Sequence, residues 1–181
     1  MPAPTIIGER ITLRQIRKSD AISIQKHAND KLISRYMILL PYPYKLEDAY
    51  SWIRICHRVN RSKTDIMWGI QDNDTGEIIG GMGLHHINYQ NKNAETGYWI
   101  GRIYWRRGLM SEAVKMVLKY SFSDLKLVRV YAVCMQPNKA SMGVLKKLGF
   151  TKEGILRKAC YKNRRWYDIH TFGILKEEFG K

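Results

Sequence analysis

The chain is poor in the residues that staple small folds or anchor them in membranes. Its three cysteines, Cys56, Cys134 and Cys160, are odd in number, widely spaced and form no C-x-x-C pair. That argues against a disulfide framework and offers no zinc-ligand spacing, so reduced thiols and no metal are expected. Long apolar runs are also missing. The longest aliphatic stretch, Met37-Ile38-Leu39-Leu40, falls far short of the roughly 20 residues a membrane helix needs. Met1-Pro2-Ala3-Pro4 does not read as the start of a signal peptide, so a cytoplasmic protein without membrane contact is expected. No repeat, linker or low-complexity tract divides the chain, and one domain over 1–181 follows as an expectation. Acidic side chains are scarce as well: 16 Asp and Glu stand against 31 Lys and Arg, a net charge of +15. Such a balance speaks to association with anions and not to the fold.

What is present reads as an ordinary globular chain, 45% hydrophobic and 26% charged. Residues 9–14 alternate apolar and polar like a half-buried strand. Ser19 is the expected cap of a first helix. Residues 36–44, with Pro41 and Pro43, are expected to form a loop rich in Tyr and Met, and Tyr42 and Tyr44 are placed on a substrate-side wall. A second helix begins near Leu46, with Tyr50, Ile53 and His57 on one side. Residues 66–71 and 77–83 read as two strands joined by an Asn-Asp-Thr-Gly turn, and 84–89 as a further strand. Strands are also expected at 128–134, 151–156 and 169–175, with a helix opened by Asn138 and closed by Gly149. Gly143 inside that helix implies a close neighbour. Strands and helices alternate without a regular βαβ repeat, so the expected fold is α/β with a mixed, mostly antiparallel sheet and helices on both faces.

One stretch organises the rest. Tyr98, Trp99 and Ile100 suit a strand; Met110, Ala113, Val114, Val117 and Leu118 recur at helical spacing. Between them lies the basic corner Arg106-Arg107-Gly108. The free amides of a helix start, together with its dipole, favour an anion such as a diphosphate, and Gly108 lets the anion approach the backbone. The Gly-Lys-Ser/Thr ending of a metal-nucleotide loop is absent. A phosphate ligand held by backbone and arginine is therefore expected.

Trp105-Arg106-Arg107-Gly108-Leu109-Met110 resembles the pyrophosphate turn of the GNAT acyltransferase superfamily, with Trp105 in place of its Gln or Arg and Met110 in place of its small last residue. Ala94-Glu95-Thr96-Gly97-Tyr98-Trp99, then Asn138-Lys139-Ala140-Ser141 and Leu148-Gly149-Phe150, resemble the branch of ribosomal-protein N-terminal acetyltransferases. The similarity runs over about residues 8–175. It implies a GNAT fold whose strands near Ile100 and Val133 splay apart to admit acetyl-CoA, used as co-substrate without metal. It further implies that the strand edge at Tyr98, Trp99 and Ile100 binds the pantetheine arm, that Arg106, Arg107, Gly108, Leu109, Met110 and Ser111 hold the diphosphate, and that Asn138 contacts the pantetheine or its surroundings.

Acyl transfer from a thioester needs a neutral amine and a proton for the departing thiolate. At the positions where relatives carry a catalytic Tyr or Glu, this chain has Leu145, Val133 and, in a late loop, Cys160. Ser141 is then the best proton donor and Glu95 the best carboxylate for a base or an amine ligand; an ordinary helix serine and a strand-start salt bridge are the plainer readings. His85 and His86 are adjacent in a strand, so at most one faces the cleft. At pH 7 the neutral fraction of an α-amine exceeds that of a lysine by about two orders of magnitude, roughly 3 kcal/mol. A site without an evident strong base therefore suits a protein amino terminus. A polyamine or small amine is the alternative acceptor. A non-catalytic acetyl-CoA-binding module that engages RNA or an acidic protein is the alternative class. Contact with the ribosome is in keeping with the charge, and either a monomer or a homodimer fits.

Overall fold

The computed structural model describes residues 3–180; Met1 and Pro2, the first half of the segment considered as a leader, and Lys181 lie outside them. Eight strands and five α-helices follow in the order β1 (Ile6–Ile7), β2 (Ile11–Arg14), α1 (Ala21–Ala28), α2 (Lys31–Tyr36), α3 (Leu46–Val59), β3 (Ile66–Asp72), β4 (Ile78–Asn88), β5 (Asn93–Ile100), α4 (Leu109–Ser123), β6 (Arg129–Met135), α5 (Lys139–Lys147), β7 (Thr151–Lys162) and β8 (Arg165–Leu175). One sheet holds them in the order β1-β2-β3-β4-β5-β6-β8-β7. Every neighbouring pair is antiparallel except β5 and β6.

That parallel pair explains α4. Parallel neighbours cannot be joined by a tight turn, so the chain must cross over one face of the sheet, and a helix does this with its own amides satisfied. The apolar stripe of α4 (Ala113, Val114, Val117, Leu118 and Phe122) is buried against Leu13, Trp68, Met82, Leu84 and Phe172. On the opposite face Ile24, Ala28, Ala49, Ile53 and Cys56 of α1 and α3 pack on Ile78 and Trp99. Each large aliphatic or aromatic side chain removed from water in this way contributes about 1.5–3 kcal/mol before entropy is counted. The sandwich of helices about a mixed, mostly antiparallel sheet is the architecture expected from the sequence.

Several local expectations are corrected. Ser19 does not cap α1: it lies inside a 3-10 turn, Lys18–Asp20, and the helix starts behind Asp20. The Asp20 carboxylate instead accepts from the Arg17 amide at 2.6 Å and from both Arg14 Nη atoms at 2.8 and 2.9 Å, tying β2 to the first helix. Burial by itself raises the Asp20 pKa, but the Arg14 hydrogen bonds and the nearby positive charge outweigh it and hold it below the usual carboxylate range. Residues 78–88 form one continuous strand, because Leu84 still pairs with both Ile66 and Thr96. The late strands are longer than expected and form a hairpin in which Cys160 belongs to β7, not to a loop. Helix α2 was not foreseen; its Asp30 carboxylate caps the Leu32 amide at 2.7 Å. Gly143 has no close neighbour: a β-carbon there would meet nothing within 4 Å.

Candidate active site

The β5–β6 ladder joins Asn93 to Arg129, Ala94 to Val130 and Glu95 to Tyr131, and then stops. Beyond it β5 continues along β4 to Ile100, and β6 continues along β8 to Met135, so the two strands part as expected. The Trp105 indole Nε1 donates to the Ile100 carbonyl at 2.9 Å and closes the end of β5. A cavity of about 780 Å³ opens in the gap, within the size range of a small-molecule site.

One end of the cavity is the basic corner. Arg106, Gly108, Leu109, Met110 and Ser111 line it. Gly108 takes φ +79°, a left-handed conformation open to glycine at little cost, and Arg106 takes +62°, which costs a side-chain-bearing residue of order 1 kcal/mol. The turn is braced from outside: Arg10 Nη1 donates to the Arg107 carbonyl at 2.8 Å, and Arg10 Nε to Glu112 at 3.0 Å. The Arg107 side chain stays out of the cavity and lies 5.5 Å from the centre of the Tyr104 ring. Lys139 and Lys147 of α5 line the cavity instead, a contribution that a local turn motif does not contain, since the two lysines come from another helix. Arg106, Lys139 and Lys147 thus surround a helix N-terminus, and no Asp or Glu lines the cavity. This combination suits a ligand bearing several phosphates.

The other end lies between Tyr98, Trp99 and Ile100 on β5 and Asn138 and Ser141 at the start of α5. Asn138 Oδ1 accepts from the Ser141 amide at 3.1 Å, the N-cap read from the sequence. Ser141 Oγ lies 3.0 Å from the Tyr98 hydroxyl and 3.1 Å from Cys134 Sγ. Burial drives both the Tyr98 phenol and the Cys134 thiol upward, only partly offset by the bond to Ser141. Both therefore keep their protons at neutral pH. When both donate to Ser141 Oγ, the serine's own proton is left to point into the cavity. The sequence did not reveal this cluster, because Tyr98, Cys134 and Ser141 meet only through the fold. Leu145, at the position where relatives carry Tyr, is fully buried.

Glu95 is not among the cavity-lining residues. It alternates with Ala94, which belongs to the α4 core, and shares its side of β5 with Trp99, which belongs to the α1–α3 core. Burial first, and the Glu95 carboxylate second, push the facing Tyr131 phenol upward, which places the carboxylate beside that ring. His85 pairs in register with Glu95. Its Nδ1 lies 3.2 Å from Asp65 Oδ1, and a β-carbon on Gly83 would fall 2.5 Å from its Nε2, so the ring lies flat over the glycines. His86 is exposed at the strand's irregularity. Ile33, Tyr36 and Met37 complete the cavity wall, and Lys162 donates to the Ser34 and Met37 carbonyls, holding that end of α2 to the late hairpin. Tyr42 is exposed, but Tyr44 is 5% exposed and packs in the α1–α3 core, so it is not part of a substrate wall. Cys160 is buried with Met135 and Ile169.

A parallel pair that splays over a polyanion-binding helix start defines an acyl-CoA-type transferase site. The family model described as "Acetyltransferase (GNAT) domain" matches residues 10–151, and the chain belongs to this family. The Bacillus subtilis (strain 168) protein named "Uncharacterized N-acetyltransferase YoaA" is 38% identical over 96% of this chain and 97% of its own length. A Vibrio cholerae "Spermidine N(1)-acetyltransferase" is 26% identical over 96% and 97%. Among solved structures, "Mycobacterium smegmatis RimJ in complex with CoA-disulfide" matches with a TM-score of 0.85 at 22% identity over 94% of this chain and 84% of that one. The "Ribosomal-protein-S5-alanine Acetyltransferase from Vibrio fischeri" matches with 0.83 at 22% identity over 98% and 100%. The chain is an N-acetyltransferase of the GNAT family, and structures of ribosomal-protein acetyltransferases are among its structural neighbours.

Proposed function

We propose that the protein transfers the acetyl group of acetyl-CoA to the α-amino terminus of a protein. Acetyl-CoA, when bound, supplies a thioester whose carbonyl accepts an amine and whose sulfur departs with a proton. The residues that would hold it are Arg106, Gly108, Leu109, Met110 and Ser111 at the phosphates, joined by Lys139 and Lys147, with Tyr98, Trp99, Ile100 and Asn138 along the pantetheine. The fit rests on the left-handed Gly108, the three cations without a facing carboxylate, and the unpaired stretch of β5 beyond Glu95. Arg107 acts through its carbonyl, which Arg10 holds, and not through its side chain.

Ser141 is the proton donor toward the sulfur, because Tyr98 and Cys134 occupy its acceptor lone pairs and Tyr98 can replenish its proton. Glu95, on the α1–α3 face, meets the incoming amine there. Trp99 and the α2 residues Ile33, Tyr36 and Met37 keep water from the wall between.

The observation that carries the choice of acceptor is the lack of any Asp or Glu among the cavity-lining residues. A polyamine brings several charges that need carboxylates, whereas an α-amine brings one, already neutral in roughly a tenth of molecules at pH 7. The name of the ribosomal-protein neighbour supports the same choice, while the spermidine enzyme's name supports the polyamine alternative. Calorimetry with acetyl-CoA, followed by a free-thiol assay over amino-terminal peptides and spermidine, tests the proposal. Saturable turnover of peptides supports it; saturable spermidine turnover with inert peptides refutes it.

A further inference from the structure

A second cavity, of about 740 Å³, lies outside the acetyl-CoA site, between α2, the loop that follows it and the β7–β8 hairpin. Leu32, Ile38, Leu39 and Pro41 line one side, with Tyr167 of the hairpin also in the lining. Leu39 is 94% exposed and Ile38 57%, an apolar surface that nothing in this chain covers. Lys31 and Arg35 also line it, and no Asp or Glu does. Among the described residues neither cation forms an ion pair, Arg35 resting only against the Tyr36 ring at 5.7 Å.

The groove and the acetyl-CoA cavity share α2 as a wall. Ile33, Tyr36 and Met37 line the cavity, while Lys31, Leu32, Arg35 and Ile38 line the groove. The two also open toward the same reaction centre. Tyr167 packs on Met135, and Met135 alternates along β6 with Cys134, which faces α5 through Ser141. The groove therefore lies on the sheet face opposite α5, the face that carries Glu95 and Trp99. A chain whose amino terminus is at Glu95 has this groove beside its following residues, at about 3.3 Å per residue of extended chain.

We propose that the groove between α2 and the β7–β8 hairpin binds the residues that follow the acceptor's amino terminus, and that it selects a segment carrying carboxylates among apolar side chains. The inference rests on the amino-terminal reading above and adds the chemistry of the acceptor. Lys31 and Arg35 supply the unpaired positive charge, and Ile38, Leu39 and Pro41 the apolar contact. The same lining disfavours polyamines and lysine-rich termini, since like charges facing one another oppose binding.

The test uses two hexapeptides that differ only in Glu or Lys at their third to fifth positions. Turnover is measured on the free peptides, and binding by fluorescence anisotropy on dye-labelled, amino-acetylated copies, at physiological ionic strength. Three proteins are compared: wild type, Lys31→Glu/Arg35→Glu, and Lys115→Glu/Lys119→Glu, whose changes lie on the exposed side of α4 and alter net charge equally. The wild type is expected to prefer the acidic peptide by about tenfold, or about 1.4 kcal/mol. The groove variant is expected to lose that preference, and the α4 variant to keep it within about twofold. No charge preference, or equal loss in both variants, overturns the groove while peptide turnover leaves the amino-terminal reading standing. Groove-dependent binding of the acidic peptide without turnover keeps the groove and refutes the amino-terminal reading. Spermidine turnover with no peptide binding refutes both.

Discussion

Arg10 holds the carbonyl of Arg107 at 2.8 Å, and with the same guanidinium it grips Glu112 in the first turn of α4. A residue just before β2 thus braces a turn 97 positions later, in which Arg106 has a left-handed backbone. The brace fixes where the free amides of α4 point. Arg10→Ala is expected to raise the KM for acetyl-CoA by about tenfold with kcat changed less than twofold, the loss of one charged hydrogen bond at a partly exposed site. Arg10→Lys is expected to recover only part, because an ammonium cannot span two acceptors as the planar fork does. Steady-state kinetics with acetyl-CoA varied would check both.

The cluster at Ser141 gives a graded expectation. Ser141→Ala is expected to lower kcat by about a hundredfold, in the range of a lost general acid. Tyr98→Phe, which leaves the donor but removes one of its two partners, is expected to cost about tenfold. The double variant should be little worse than Ser141→Ala, since the tyrosine acts through the serine. Additive losses in the four kcat values would contradict the arrangement.

Gly143 separates stability from binding. Because a β-carbon there meets nothing within 4 Å, Gly143→Ala is expected to stabilise α5 by about 0.5–1 kcal/mol in urea unfolding, as alanine does in a helix interior. Gly143→Leu is expected to keep the fold and raise the KM for acetyl-CoA at least about tenfold, since Gly143 lines the cavity.

Asp20 sets an acid-sensitive part of the stability. Its folded pKa is depressed, so its contribution is complete above the ordinary carboxylate value near 4 and is lost as the pH falls from there through the lower folded value. Asp20→Asn is expected to cost about 2 kcal/mol at pH 7, because it leaves the Arg14 guanidinium, 11% exposed, without its partner. The gap to wild type should narrow on descending below about pH 4. Urea titrations at pH 7, 4 and 3 would measure it; a constant gap would show that the ion pair carries none of the difference.

The parts of this fold legible in the sequence are those written by local rules. The strand at Tyr98 to Ile100, the Gly108 turn, the apolar stripe of α4 and the Asn138 cap each follow from a few adjacent residues, and the structure has them where the sequence put them. Ser19 misled because two caps competed: a serine offered one bond, and Asp20 found Arg14 and Arg17 together. Helix α2 is six residues long, too short for a periodic signal, and is held by a lysine 125 positions away from Met37. Gly143 was read as a close contact because a helical glycine usually marks one; here the neighbouring space is the cavity itself. Lys139, Lys147, the Tyr98–Ser141 contact and the groove beside α2 depend on elements distant in sequence, which no spacing rule connects.

The most direct measurement of the central claim locates the acetyl group by tandem mass spectrometry. The substrate is a peptide with a free amino terminus, acidic residues at its third to fifth positions and one internal lysine, incubated with acetyl-CoA and the purified protein. The account expects a single acetyl group on the terminal α-amine, one free thiol released per acetyl, and loss of both with Ser141→Ala. Acetylation of the lysine alone, or thiol release only when spermidine is added, would contradict it.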